Sequence, residues 1–224
     1  MIKGKISQIF LSIQGEGLYL GEKQVFIRLF GCNLGCKFCD TRLDYFEERS
    51  SEDLLNRIKL YGSSFHSVSF TGGEPLLQKD FLKEILQLTQ GSGLKNYLET
   101  NGTLFNELKE VIDYVDIIAM DVKLPSSTGL GHYWQEHRNF LEVASRREVF
   151  IKAVICSSTS KEDILKALSL IKEINPQAML FLQPNSNGNE LFLQDKAESL
   201  RNLALENGVT ACVIPQMHKI VGVM

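Results

Sequence analysis

The chain has 224 residues, 44% of them apolar and 23% charged, with a formal net charge of -3. That balance suits one globular domain, 1–224, with a sizeable core, and gives no broad electrostatic reason to bind nucleic acid. No apolar run is long enough to cross a bilayer, and Met1-Ile2-Lys3-Gly4-Lys5 opens no signal peptide, so a cytoplasmic protein without membrane or nucleic-acid partners is expected.

After an amphipathic N-terminal segment, strand-like runs alternate with helical periodicity. Val25 to Phe30 reads as the first strand. Ser51 to Leu60 reads as a helix, with Ser50 or Ser51 as its cap. Strands then follow at Ser67–Phe70, Asn96–Glu99, Asp116–Met120, Val149–Val154, Ala178–Leu182 and Thr210–Ile214. Between them lie helical patterns at Lys79–Gln90, Phe105–Tyr114, Lys161–Ile174 and Gln194–Glu206. The repetition predicts a parallel sheet, open or curled into a barrel. Pro125–Gly131 reads as a loop. Ser126 to Arg147, with His132, Tyr133, Trp134 and His137, carries no motif and is assigned to packing.

Three of the five cysteines fall within eight residues, Cys32, Cys36 and Cys39, in the spacing C-x3-C-x2-C. Odd number and clustering make a poor disulfide framework and favour a metal site. Cys156 and Cys212 sit in apolar runs and read as small buried hydrophobes. Three thiolates on a four-iron cluster leave one iron open, whereas structural zinc would need a fourth ligand, and the nearest histidine in sequence is His66.

Further motifs close successive strands. In Thr71-Gly72-Gly73-Glu74-Pro75 the glycines admit a close ligand, and Glu74 can accept from an ammonium group. Alone the stretch reads as an ordinary turn. Glu99-Thr100-Asn101-Gly102, Asp121-Val122-Lys123 and Gln183-Pro184-Asn185 end later strands. Each also reads as a turn or a solvated strand end. Ligands of parallel sheets bind at the C-terminal strand ends, which nominates Thr100, Asn101, Asp121, Lys123 and Gln183 as cofactor contacts.

The cysteine spacing, with Phe38 before the last thiol, resembles the radical S-adenosylmethionine superfamily, and Gly72-Gly73-Glu74 resembles its Gly-Gly-Glu motif. The resemblance implies an α/β fold, a partial, modified (β/α)6-type barrel. It implies a 4Fe-4S cluster on the three cysteines and S-adenosylmethionine held by Gly73 and Glu74. Reductive cleavage would release a 5′-deoxyadenosyl radical.

Ile9 to Gly17, Phe26 to Leu34 and Cys39-Asp40-Thr41 resemble, more narrowly, the 7-carboxy-7-deazaguanine synthase family of the 7-deazapurine (queuosine precursor) pathway. The likeness continues through Thr71–Pro75, Glu99–Gly102, Gln183-Pro184 and His218-Lys219. It implies a lyase that contracts 6-carboxy-5,6,7,8-tetrahydropterin to 7-carboxy-7-deazaguanine with loss of ammonia, after hydrogen abstraction at C6. Ile13, Gln14, Gly15 and Thr71 would contact the pterin, Arg28 would pair with its carboxylate, Thr41 would give an oxygen to Mg²⁺, and Met224 would reach the substrate. A homodimer, and a reductant such as a flavodoxin or ferredoxin, are further implications. No side chain is compelled as a general acid or base. Read without the resemblance, Arg28 faces solvent and Thr41 caps a turn. Two other readings remain: an activating enzyme for a glycyl-radical partner, and a non-enzymatic iron–sulfur module. The first would not be expected to carry Gln14 to Gly17 together with Arg28 and Thr41, and the second predicts a fourth ligand and no turnover of S-adenosylmethionine.

Overall fold

A computed structural model describes residues 2–41, 44–186 and 190–214. Its strands are β1 Lys3–Ile13, β2 Lys23–Leu29, β3 Glu47–Ser50, β4 Ser67–Gly72, β5 Asn96–Thr100, β6 Ile117–Asp121, β7 Glu148–Ile155, β8 Leu180–Pro184 and β9 Ala211–Val213. The helices are α1 Ser51–Lys59, α2 Lys79–Gly91, α3 Phe105–Val111, a single turn α4 Pro125–Thr128, α5 Trp134–Ala144, α6 Lys161–Ile174 and α7 Glu190–Glu206. Ser50 caps α1 by accepting from the Asp53 N–H, and Ser160 caps α6 in the same way through Asp163. No helix among the described residues is long and apolar enough to cross a membrane.

One sheet runs in the order β3-β1-β2-β4-β5-β6-β7-β8-β9. From β2 onward every pairing is parallel, while β1 and β3 add an antiparallel edge. Six parallel strands, β2 and β4 to β8, each lead to a helix, as the (β/α)6 expectation requires. The sheet must curl. Arg28 of β2 and Gln183 of β8 line one cavity although four strands lie between them. A flat sheet, at ~4.8 Å per strand, would hold them roughly 24 Å apart. No pairing among the described residues joins β3 to β9, so the barrel is partial.

Side-chain alternation then divides the core. On β7, Val149, Ile151, Ala153 and Ile155 pack outward under the helices, beside Phe81, Phe140 and Leu168. Phe150 points inward, with Tyr97, Ile117, Ala119 and Phe181. The Phe150 and Phe181 rings meet at 5.4 Å, nearly perpendicular. These rings plug the barrel, and the cavity opens at the other end of the same strands.

Two segments differ from the sequence reading, and a third packs as it expects. The amphipathic N-terminus is a strand, because its period is two residues and it pairs with β2. The Pro125–Gly131 loop begins with a helical turn, closed at Gly129 with φ 70°. Residues within 126–147 include α5, whose His137, Phe140, Leu141 and Ala144 are buried. Cys156 is buried as expected, and Cys212 is half-buried against the inner plug.

Candidate active site

The cavity, about 640 Å³, lies at the C-terminal ends of the parallel strands. The inward rows end there in polar residues: Arg28, Thr71, Glu99, Asp121, Lys152 and Gln183.

The loop after β2 brings Cys32, Cys36 and Cys39 to this cavity as free thiols. Burial pushes the Cys32 and Cys36 thiols up, while Lys123 works against it. Neighbouring strand ends fasten the loop. The Glu74 N–H donates to Gly31 O at 2.8 Å, and the Lys37 N–H to Thr128 O at 3.0 Å. Asn101 Nδ2 donates to Asn33 Oδ1 at 2.8 Å, and Asn33 Nδ2 to Thr103 Oγ1 at 3.0 Å. A Cβ on Gly73 would stand 2.0 Å from Gly31 O, so the glycine pair admits the cysteine loop as well as lining the cavity. His66 lies just before β4, at the end away from the thiols, its ring tilted against Tyr19 at 4.7 Å, and gives these thiols no fourth ligand. Among the described residues no three Cys, His, Asp or Glu side chains close on a single ion. A four-iron cluster does not ask for that, since each thiolate meets its own iron.

The residues nominated for the second cofactor come together, with one change. Gly73, Thr100, Asn101, Asp121, Lys123 and Gln183 line the cavity. Glu74 does not: it is wholly buried, and its carboxylate accepts from Thr100 Oγ1 at 3.0 Å, the Asn101 N–H at 2.7 Å and the Leu76 N–H at 3.1 Å. Burial pushes it up to about 7 against those bonds. These bonds tie it to the turn after β5. Lys123 Nζ pairs with Asp121 Oδ2 at 2.8 Å and sits 5.5 Å from the Phe38 ring centre. Burial works against the charge on Lys123, yet Asp121 and Cys36 hold its pKa above the usual value. Gln183 Nε2 and Asp121 Oδ1 are buried without a hydrogen-bond partner among the described residues. Such atoms on a cavity wall are where a polar ligand gains most.

Of the pterin candidates, Ile13, Gln14, Gly15, Arg28 and Thr71 line the cavity, and Thr41 lies on its rim beside Cys39 and Asp40. Gln14 is already engaged. Its Nε2 donates to Gln24 Oε1 at 3.0 Å and Glu99 Oε1 at 2.8 Å, and its Oε1 accepts from the Glu16 N–H at 3.1 Å. Arg28 does not point to bulk solvent. Gln8 Oε1 accepts from its Nη1 at 2.7 Å, and its guanidinium lies 5.0 Å over the Phe10 ring. Thr71 Oγ1 donates to Glu99 Oε2 at 3.3 Å. Met224, like His218 and Lys219, lies outside the described residues.

The sequence reading missed a charged group in the cavity: Lys152, with Glu16 at 2.8 Å and Glu99 at 3.5 Å. Burial alone would neutralise Lys152, but the two carboxylates hold its pKa well above the usual value. Phe10 and Phe26, stacked at 5.2 Å and 10°, were missed as well. One signal was available for Lys152: a lysine two residues beyond Phe150 on the inward row of a buried strand.

The Radical SAM superfamily matches residues 26–191, from β2 through the cysteine loop into α7. Fold and site thus define a radical SAM protein, a class whose cofactors are a 4Fe-4S cluster and S-adenosylmethionine; three thiols with no fourth and two orphaned polar atoms fit that pair. A 7-carboxy-7-deazaguanine synthase of Geobacter sulfurreducens is 37% identical over 97% of this chain and 97% of its own length. One from Methanopyrus kandleri is 31% identical, covering 96% of this chain and 92% of its own. The crystal structure of QueE from Escherichia coli matches the fold with a TM-score of 0.69, covering 94% of this chain and 93% of that one at 23% identity. The chain belongs to the 7-carboxy-7-deazaguanine synthase family.

Proposed function

We propose that this chain converts 6-carboxy-5,6,7,8-tetrahydropterin to 7-carboxy-7-deazaguanine with release of ammonia, as a single domain. One observation carries the reading: Arg28, the thiol triad and the buried polar strand ends share one cavity. When bound, the cluster and S-adenosylmethionine supply the radical that removes a substrate hydrogen. The chain's own part is binding and orientation. Arg28 pairs with the substrate carboxylate, since its planar fork matches two oxygens and Gln8 and Phe10 hold it in place. Phe10 and Phe26 offer an apolar wall to a flat heterocycle. Glu16, Glu99 and Lys152 offer acceptors and a donor to its amino and ring N–H groups. Ile13, Gly15 and Thr71 complete that side, with Gln14 acting by fixing Glu99. Thr41 supplies an oxygen to Mg²⁺, a hard ion that prefers such ligands. Gly73, Thr100, Asn101, Asp121, Lys123 and Gln183 hold S-adenosylmethionine, with Glu74 acting through Thr100 and Asn101.

The protein works in the cytoplasm with a flavodoxin or ferredoxin as electron donor, and pairs with a second copy. Exposed Leu11 of β1, with Leu18 and Leu20 on the β1–β2 connection, supports the pairing. The test is anaerobic cluster reconstitution followed by reaction with the pterin, Mg²⁺, S-adenosylmethionine and a reductant. Deazaguanine product with ammonia is expected, and Cys36→Ala should remove cluster and cleavage together. Cofactor cleavage with no deazaguanine would overturn the substrate.

A further inference from the structure

His137 of α5 belongs to no motif, yet it is wholly buried and joins two loops of the site. Its Nδ1 lies 3.0 Å from Gly102 O, and the Lys123 N–H lies 3.0 Å from its Nε2. A carbonyl can only accept and a backbone N–H can only donate. The ring is therefore neutral, with its proton on Nδ1. Gly102 belongs to the turn after β5 that places Thr100 and Asn101, and Lys123 follows β6 with Asp121. Each loop touches the cysteine loop separately, through Asn101 to Asn33 and through Lys123 over Phe38. Among the described residues, the β5–β6 pairing ends at Thr100 and Met120, before either loop.

We propose that His137 is a positioning residue, a neutral brace that sets the spacing of the β5 and β6 loops and so the fit of S-adenosylmethionine between them. The proposal rests on the cofactor reading of those loops. It gives the segment around α5 a task beyond packing. Protonation would place an N–H against the Lys123 N–H. Burial, which lowers this imidazole's pKa to about 4, keeps that from happening at neutral pH.

The test compares His137→Phe, which keeps the bulk and removes both bonds, with His137→Asn, whose amide nitrogen can replace Nδ1. Calorimetry on anaerobically reconstituted protein reads affinity for S-adenosylmethionine. The loss of two hydrogen bonds predicts roughly tenfold weaker binding for Phe. Partial recovery by Asn is expected, together with unchanged affinity for the pterin. Equal affinities in Phe and wild type, at equal cluster content, would overturn the brace. Should Phe not fold, nitrogen NMR of the wild-type imidazole decides. A neutral ring protonated at Nδ1 at pH 7 supports the proposal, and protonation at Nε2 refutes it. Turnover by wild type is measured alongside, because failure of the functional reading silences wild type too, whereas failure of the brace leaves the variants like wild type.

Discussion

Two residues of β7, Phe150 and Lys152, point into the same barrel and are both almost fully buried, yet they live by different physics. Phe150 packs among rings, aliphatic chains and the Gly17 backbone and contributes area removed from water. Lys152 meets Glu16 and Glu99, and its burial is tolerable only while they stay charged beside it. The comparison teaches where the fold ends and the site begins. At Phe150's level the inward row serves stability alone. One step toward the strand ends, it holds charge in place for a ligand.

The largest effect should come from breaking the charged level. Lys152→Met leaves two carboxylates unpaired in a confined space, which costs about 3–5 kcal/mol of stability in urea unfolding, and turnover should vanish as well. Adding Glu16→Gln and Glu99→Gln should restore much of the stability and none of the turnover. If the triple variant stays as unstable as the single one, Lys152 is not balanced by those carboxylates.

Phe150→Ala should cost a similar ~3–5 kcal/mol, as large-to-small changes at buried aromatics do. It should do so without a functional signature: folded protein at low temperature should bind S-adenosylmethionine like wild type. A changed affinity would mean that the plug and the site are mechanically coupled.

His137 allows a milder test, made by pH. Its pKa is lowered from 6.5 to about 4 by burial, with the Gly102 carbonyl, Asp121 and Glu136 pulling upward and Lys123 downward. The folded pKa is the lower one, so the unfolded chain takes the proton first as pH falls. Its contribution is therefore complete above pH 6.5, declines between 6.5 and 4, and levels off below. The swing is at most about 3 kcal/mol. Stability curves of wild type and His137→Phe, measured from pH 7 to pH 4, should converge as the pH falls. Parallel curves would show that the ring is not held neutral.

Much of this was legible in the sequence, for identifiable reasons. The parallel strands and α1 announce themselves by apolar runs and a cap, and Ser50, accepting from the Asp53 N–H, fixes that start directly. The thiol triad is local, so its spacing alone reveals it. What stayed hidden depends on contacts distant along the chain. Glu74 reads as a ligand group because its motif follows a strand, but its burial beneath Thr100 and Asn101 is visible only once β4 and β5 pair. Lys152 finds Glu16 across 136 positions. The edge strand β3, Glu47-Glu48-Arg49-Ser50, is short and polar throughout, with three charges, as exposed edges often are, and so carries no apolar signal.

The smallest expected effect concerns the rim between these levels and solvent. Arg28 and Gln8 stand opposite one another on β2 and β1, and Phe10 and Phe26 form the next pair on the same face. Gln8 is exposed, so its bond to Arg28 adds little stability, and Gln8→Ala should cost no more than about 1 kcal/mol. Its effect should appear in catalysis. An arginine free to swing loses the alignment that makes a two-pronged bond to carboxylate worth more than a point charge. KM for the pterin should rise severalfold, kcat should change little, and affinity for S-adenosylmethionine should hold. Arg28→Ala should shift the same parameter further, and the double variant should be no worse than Arg28→Ala alone, because Gln8 acts only through the guanidinium. If the two losses instead add, Gln8 touches substrate by itself, and the cavity reaches further along β1 than Phe10.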